Sequence, residues 1–97
     1  MKTFEELEAF NELTETYFPG IGLITDDEDL TLSTVYSSNA KTISGERVFK
    51  FYAKPDEDKL YENGFHIEFV QFLKKHNYYA EWRDNKIIWI DIIEIKS

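Results

Sequence analysis

The residues that could do chemistry are few and poorly grouped. His66 and His76 stand ten positions apart, and Glu62 precedes His66 by one helical turn. Zinc chemistry asks for two ligands at helical spacing plus a third, as in H-E-x-x-H, and no such set occurs. Both histidines read as surface or capping residues. Glu94-Ile95-Lys96 matches the E-x-K half of a nuclease motif, in which acids hold a divalent ion and the lysine steadies the attacking water. Asp84 or Asp91 would supply the missing acid. On a regular strand, however, Asp91 and Glu94 point to opposite faces, because their separation is odd. Asp26-Asp27-Glu28-Asp29 is dense in carboxylates, but a calcium loop alternates its acids, with a glycine at the sixth position and a glutamate at the twelfth. That cluster reads as a solvated turn. No G-x-S-x-G elbow surrounds any serine, Gly20-Ile21-Gly22 lacks the third glycine of a phosphate cradle, and the chain has no cysteine. The expectation is a protein without catalytic residues, metal or cofactor.

Charge is more informative than chemistry. The net charge of −8 disfavours direct binding to nucleic acid or to an anionic membrane. Residues 1–31 hold nine acids against Lys2, whereas residues 32–97 hold ten acids and ten bases. The whole excess therefore belongs to the first third of the chain, a pattern that points to an electrostatic partner surface. Tyr36, Tyr52, Tyr61 and Tyr79 could stack on bases, but Lys50, Lys54 and Lys59 sit among Asp56, Glu57 and Asp58 and form no positive groove. The tyrosines read as core or sheet-face residues.

The elements that carry these groups follow from periodicity. Thr3 with Glu6 forms a capping box, so a helix is predicted over about 4–17. Phe4, Leu7, Phe10, Leu13, Tyr17 and Phe18 fall on one side of it. Glu5, Glu8, Glu12 and Glu15 fall within about 80° on the other, a stripe about 15 Å long. Pro19-Gly20 ends the helix. Alternation from Leu30 to Ser37 predicts a half-buried strand, and a second strand is predicted over 43–53. A second helix is predicted over about 60–76 from the spacing of Phe65, Phe69, Phe72, Leu73 and His76, with Gly64 an unfavourable residue near its start. Tyr78 to Arg83 and Lys86 to Ile95 flank Asp84-Asn85, read as a two-residue hairpin turn that places Trp82 opposite Ile87 and Ala80 opposite Trp89. The apolar run from Ile87 to Ile93 reads as a central strand covered on both faces. The predicted fold class is α+β, in which an antiparallel sheet of about four strands carries two helices in the order α-β-β-α-β-β, with residues 1–97 forming one compact domain. With no apolar run of membrane length and no signal-like start, the expected compartment is the cytoplasm.

In size, acidity, aromatic richness and lack of catalytic motifs, the chain resembles the small inhibitors that bacteriophages and mobile elements use against host defence, the anti-CRISPR proteins above all. The resemblance is carried by the Glu5/Glu8/Glu12/Glu15 stripe and by Asp26, Asp27, Glu28 and Asp29. It implies a non-catalytic cytoplasmic protein of the bacterial host cell. Such a protein would use these eight carboxylates to bind a basic partner, a CRISPR effector nuclease, and so block DNA or guide-RNA engagement. An immunity protein or antitoxin that neutralises a toxin nuclease predicts the same surface. An inhibitor that docks through a tyrosine-rich sheet face would need no mimicry, and a small adaptor domain with an apolar peptide groove is a third class. Oligomeric state is not legible at this level. The nuclease alternative has a direct check: the purified chain is expected to leave DNA and RNA intact in the presence of magnesium, and cleavage abolished by Glu94→Ala would reinstate it.

Overall fold

Thr3 opens the first element. Its hydroxyl accepts a hydrogen bond from the Glu6 backbone N–H at 3.2 Å, and helix α1 follows over Phe4–Tyr17. The computed structural model describes residues 3–26, 28, 31–35, 40–50, 59–83 and 89–95. Leu7, Phe10 and Thr14 form the buried stripe of α1. Phe4 and Tyr17, at the two ends of the predicted apolar arc, stay exposed. The Thr14 hydroxyl donates to the Phe10 carbonyl at 2.7 Å, so the polar group in the stripe is satisfied. The helix closes just before Pro19-Gly20, as predicted.

Two short strands come next, β1 over Ile24–Asp26 and β2 over Thr31–Val35. A two-stranded hairpin then joins β3, Tyr61–Glu62, to β4, Phe65–His66. Helix α2 spans Ile67–Lys75, and β5, Tyr78–Trp82, and β6, Trp89–Glu94, complete the fold. The main sheet is antiparallel with order β1-β2-β6-β5. The α+β class, the two helices and the four-stranded sheet agree with the sequence, but the element order is α-β-β-β-β-α-β-β.

Three expectations are corrected. The predicted strand over 43–53 is not regular across its described part, residues 43–50. The chain turns back on itself there, leaving the isolated pairs Lys41 with Arg47 and Phe49 with Phe65. Thr42, Ser44 and Glu46 bond one another and the local backbone in place of a ladder. Residues 51–53 lie outside the described set. The predicted second helix begins seven residues late. Asn63 and Gly64 take φ of 53° and 83°, the paired positive values of a tight hairpin turn, so 61–66 folds as β3-β4 before α2 starts. His66 caps α2, accepting from the Glu68 N–H at 3.1 Å. It is a buried cap whose other ring nitrogen meets Glu46, not Glu62.

The third correction is the C-terminal register. Trp82 lies opposite Ile90 and Ala80 opposite Ile92, a shift of three residues from the expected pairing. Asp84-Asn85 itself is outside the described residues. An odd shift exchanges the two faces of a strand. Here it turns Ile90 and Ile92 inward with Leu32, Thr34 and Tyr78, and it sends Asp91 outward to Arg83 at 3.4 Å. β6 is central, as expected, but only one of its faces meets the helices. On the other, Asp91 and Ile93 are half-buried and Tyr79 and Glu81 exposed.

The core between helices and sheet mixes aliphatic side chains with a connected set of aromatic rings. The Phe10 ring of α1 stacks on Tyr78 of β5 at 4.3 Å and on Phe72 of α2 at 5.5 Å. Phe69 receives Phe18 and Phe49 edge-on at 5.2 and 5.5 Å. Trp82 stacks on Phe65 at 4.7 Å and donates its indole N–H to the Asn63 carbonyl at 2.7 Å, fixing the β3-β4 turn to β5.

Tyr78 is 1% exposed. Burial first, and then the charges of Glu94 and Glu6, push its phenol from 10.0 up to about 12. The unfolded chain ionises this group near pH 10, whereas the fold keeps it neutral up to about 12. Its contribution to stability is therefore complete below pH 10 and is lost as the pH rises through 12. The urea midpoint should fall across that interval and fall less in Tyr78→Phe. Identical alkaline slopes in the two proteins would refute the assignment.

Candidate functional site

The acidic stripe is set by the rotation of α1. Burying Leu7, Phe10 and Thr14 turns the opposite side outward, and Glu5, Glu8, Glu12 and Glu15 are all exposed. Glu8, Glu12 and Glu15 line one shallow depression of about 480 Å³, whose far wall is Thr25 of β1. Glu5 continues the row one turn toward the N-terminus.

Asn11 brings the strand to the helix. Its side-chain amide donates to the Leu23 carbonyl at 3.1 Å and to the Thr25 hydroxyl at 3.2 Å. Glu15 secures the other end of the same path. Its two carboxylate oxygens accept the backbone N–H groups of Gly20 at 2.9 Å and Gly22 at 3.2 Å. Gly22 has φ of +59° and open space where a Cβ would be, so the backbone angle, not crowding, favours glycine. Between these two ties, residues 20–25 run back along α1 from its C-terminal end. Asp26 follows at the end of β1, exposed, with its carboxylate accepting the Glu28 N–H at 2.9 Å. Glu28 is also exposed. Asp27 and Asp29 lie outside the described residues.

The helix does not need all of this charge. Glu5 and Glu6 complement the positive N-terminal end of the helix dipole. Glu15 sits in the last turn, where the dipole disfavours acids, and no basic residue occupies that turn. Neighbours three and four apart repel by about 0.2–0.5 kcal/mol each. Among the described residues, no basic side chain lies within ion-pair distance of Glu5, Glu8, Glu12, Glu15 or Glu28.

The remaining sequence candidates do not converge. Glu94 lies opposite Tyr78 on the helix-facing side of β6, while Asp91 pairs with Glu81 on the outer side. Lys96 is outside the described residues. No three histidine, aspartate or glutamate side chains among the described residues are placed to share a metal ion. Sequence reasoning missed Asn11, a lone amide among glutamates with no periodic signal. It also missed the bridging role of Glu15, which the Gly-x-Gly after Pro19 could have signalled. No family model, curated protein or solved structure matches the chain.

Asn11→Ala is expected to lower stability by about 1–2 kcal/mol through loss of both part-buried hydrogen bonds. Urea denaturation at neutral pH reads this directly, and the acidic charge is unaltered.

Proposed function

We propose that the chain is a non-catalytic inhibitor. It binds a basic, nucleic-acid-binding protein, an effector nuclease of the CRISPR type, through the acidic side of α1 and the adjoining end of β1. The observation that carries this reading is the row of exposed Glu5, Glu8, Glu12 and Glu15, the last three lining one depression, with no ion-pair partner among the described residues. A basic channel binds phosphates by charge-assisted hydrogen bonds and by release of condensed counterions, and carboxylates on a rigid element engage the same arginine and lysine groups. The glutamates recur every three or four residues, about 5 Å apart along the helix axis. This is somewhat sparser than the ~3.4 Å axial repeat of phosphates along one DNA strand. Asp26 and Glu28, both exposed, carry further acidic groups at and just beyond the end of β1.

The test is charge reversal of Glu5, Glu8 and Glu12 together. Glu15 is left in place, because its carboxylate holds Gly20 and Gly22 and its loss would confuse folding with binding. The triple variant should stay folded, with only a small fall in melting temperature from the charge reversed in the first turn of α1. Its affinity for guide-loaded effector nucleases should fall by roughly a hundredfold or more, and the dependence of affinity on salt should flatten. A toxin nuclease serves as the second probe and separates the antitoxin alternative. Unchanged affinity in the variant, with no salt dependence in the parent, would overturn the reading.

A further inference from the structure

Ile43 is 84% exposed, the most exposed large hydrophobic residue among those described. It does not sit on a slack loop. Thr42 and Glu46 close the turn by a backbone hydrogen bond at 2.8 Å, and Gly45 donates to the Thr42 carbonyl at 2.9 Å. The Thr42 hydroxyl accepts the Glu46 N–H at 3.2 Å. Glu46 is anchored in turn by buried His66, whose Nδ1 accepts from Glu68 and whose Nε2 therefore carries the proton donated to Glu46 at 3.2 Å. An apolar knob on a loop already locked loses little entropy when it is covered.

The knob borders a depression of about 310 Å³ formed with Tyr17, Phe18 and Phe72, and rimmed by Glu68, Gln71 and Lys75 of α2. Tyr17 is 45% exposed. Knob and hollow thus lie side by side on one patch, as an interface between identical copies requires. The charges follow the same rule. Glu68, Gln71, Phe72 and Lys75 occupy one helical face at i, i+3, i+4 and i+7. Glu68 and Lys75 are two turns apart, too far to pair with each other along the helix. A two-fold axis crossing α2 between Gln71 and Phe72 would bring Glu68 of one copy to Lys75 of the other, twice, and put the two Gln71 side chains at the centre.

We propose that this face is a symmetric dimer interface. Antiparallel α2 helices pair Glu68 with Lys75 reciprocally, and each Ile43 seats in the other copy's Tyr17/Phe72 hollow. The patch carries one acid and one base, so it selects no strongly charged partner, and it is complementary to itself. The acidic stripe lies on the opposite side of α1 from Tyr17. Two copies would meet away from their repelling faces and present two stripes outward.

Sedimentation equilibrium of the full chain from roughly 1 μM to 1 mM should show a monomer–dimer equilibrium. Glu68→Lys and Lys75→Glu should each weaken dimerisation about tenfold or more, since two attractions become two repulsions. An equimolar mixture of these two variants should dimerise again, as heterodimers, because each supplies the charges the other lacks. Ile43→Glu should be monomeric with an unchanged melting temperature. A wild-type chain that stays monomeric throughout, single reversals that dimerise as well as wild type, or a mixture that fails to recover would each overturn the proposal. So would a monomeric wild type whose capture of a basic nuclease is lost in Ile43→Glu, which would give this face to that partner.

Discussion

The inward turn of Ile90 and Ile92 on β6 is the constraint on which the rest of the molecule hangs. Leu32 and Thr34 on one neighbour, and Tyr78 and Ala80 on the other, share a face with them in the observed register and would lose it in any register an odd number of residues away. That choice leaves Asp91 with Arg83 in the solvent-facing layer and gives both helices the same side of the sheet. A register one residue away would bury Asp91 and expose two isoleucines, at a cost far above what any turn preference could recover.

Once both helices share a face, their rotations are set by the same rings. Phe10 reaches Tyr78 and Phe72 only if α1 shows its glutamates to solvent, and Phe69 reaches Phe18 and Phe49 only if α2 shows Glu68, Gln71 and Lys75. The two surfaces with the clearest character, one acidic and one apolar with balanced charge, are thus the outer sides of elements rotated by a common core. Asn11 and Glu15 add what the apolar contacts cannot. They hold residues 20–25 along α1 by directed hydrogen bonds, so that β1 forms a wall beside the glutamates.

Periodic signals in the sequence were reliable where burial alone decides. The capping residue, the extent of α1, the outward arc of its glutamates, β2 and the central place of β6 were all legible from spacing. Failures came where local chemistry competed with rhythm. The helical spacing of Phe65, Phe69 and Phe72 hid the Asn63-Gly64 turn, although that pair is a strong hairpin signal, because Phe65 fits both patterns. Thr42, Ser44 and Glu46 alternate as strand residues do, yet their side chains satisfy one another across a turn. The Asp84-Asn85 pair looked like a turn centre, but burial of Ile90 and Ile92 outweighed it in setting the register. For the candidate surface, exposure could be read from helical angle. The carboxylate bridge of Glu15 has no periodic signal, only the Gly-x-Gly after Pro19, since it depends on where Gly20 and Gly22 travel after the helix ends.

The sheet order also governs when the protein can come into being. β6 is the last strand in sequence and lies between β2 and β5, and Leu32 meets Ile92 across sixty positions of chain. Until residues 89–95 have left the ribosome, β2 and β5 have no strand between them and the apolar sides of both helices have no floor. The pairings that close the main sheet join distant parts of the sequence and form only once β6 is available. The aromatic rings of the helices stay uncovered until β6 docks, so the yield of the folded sheet rests on that one strand.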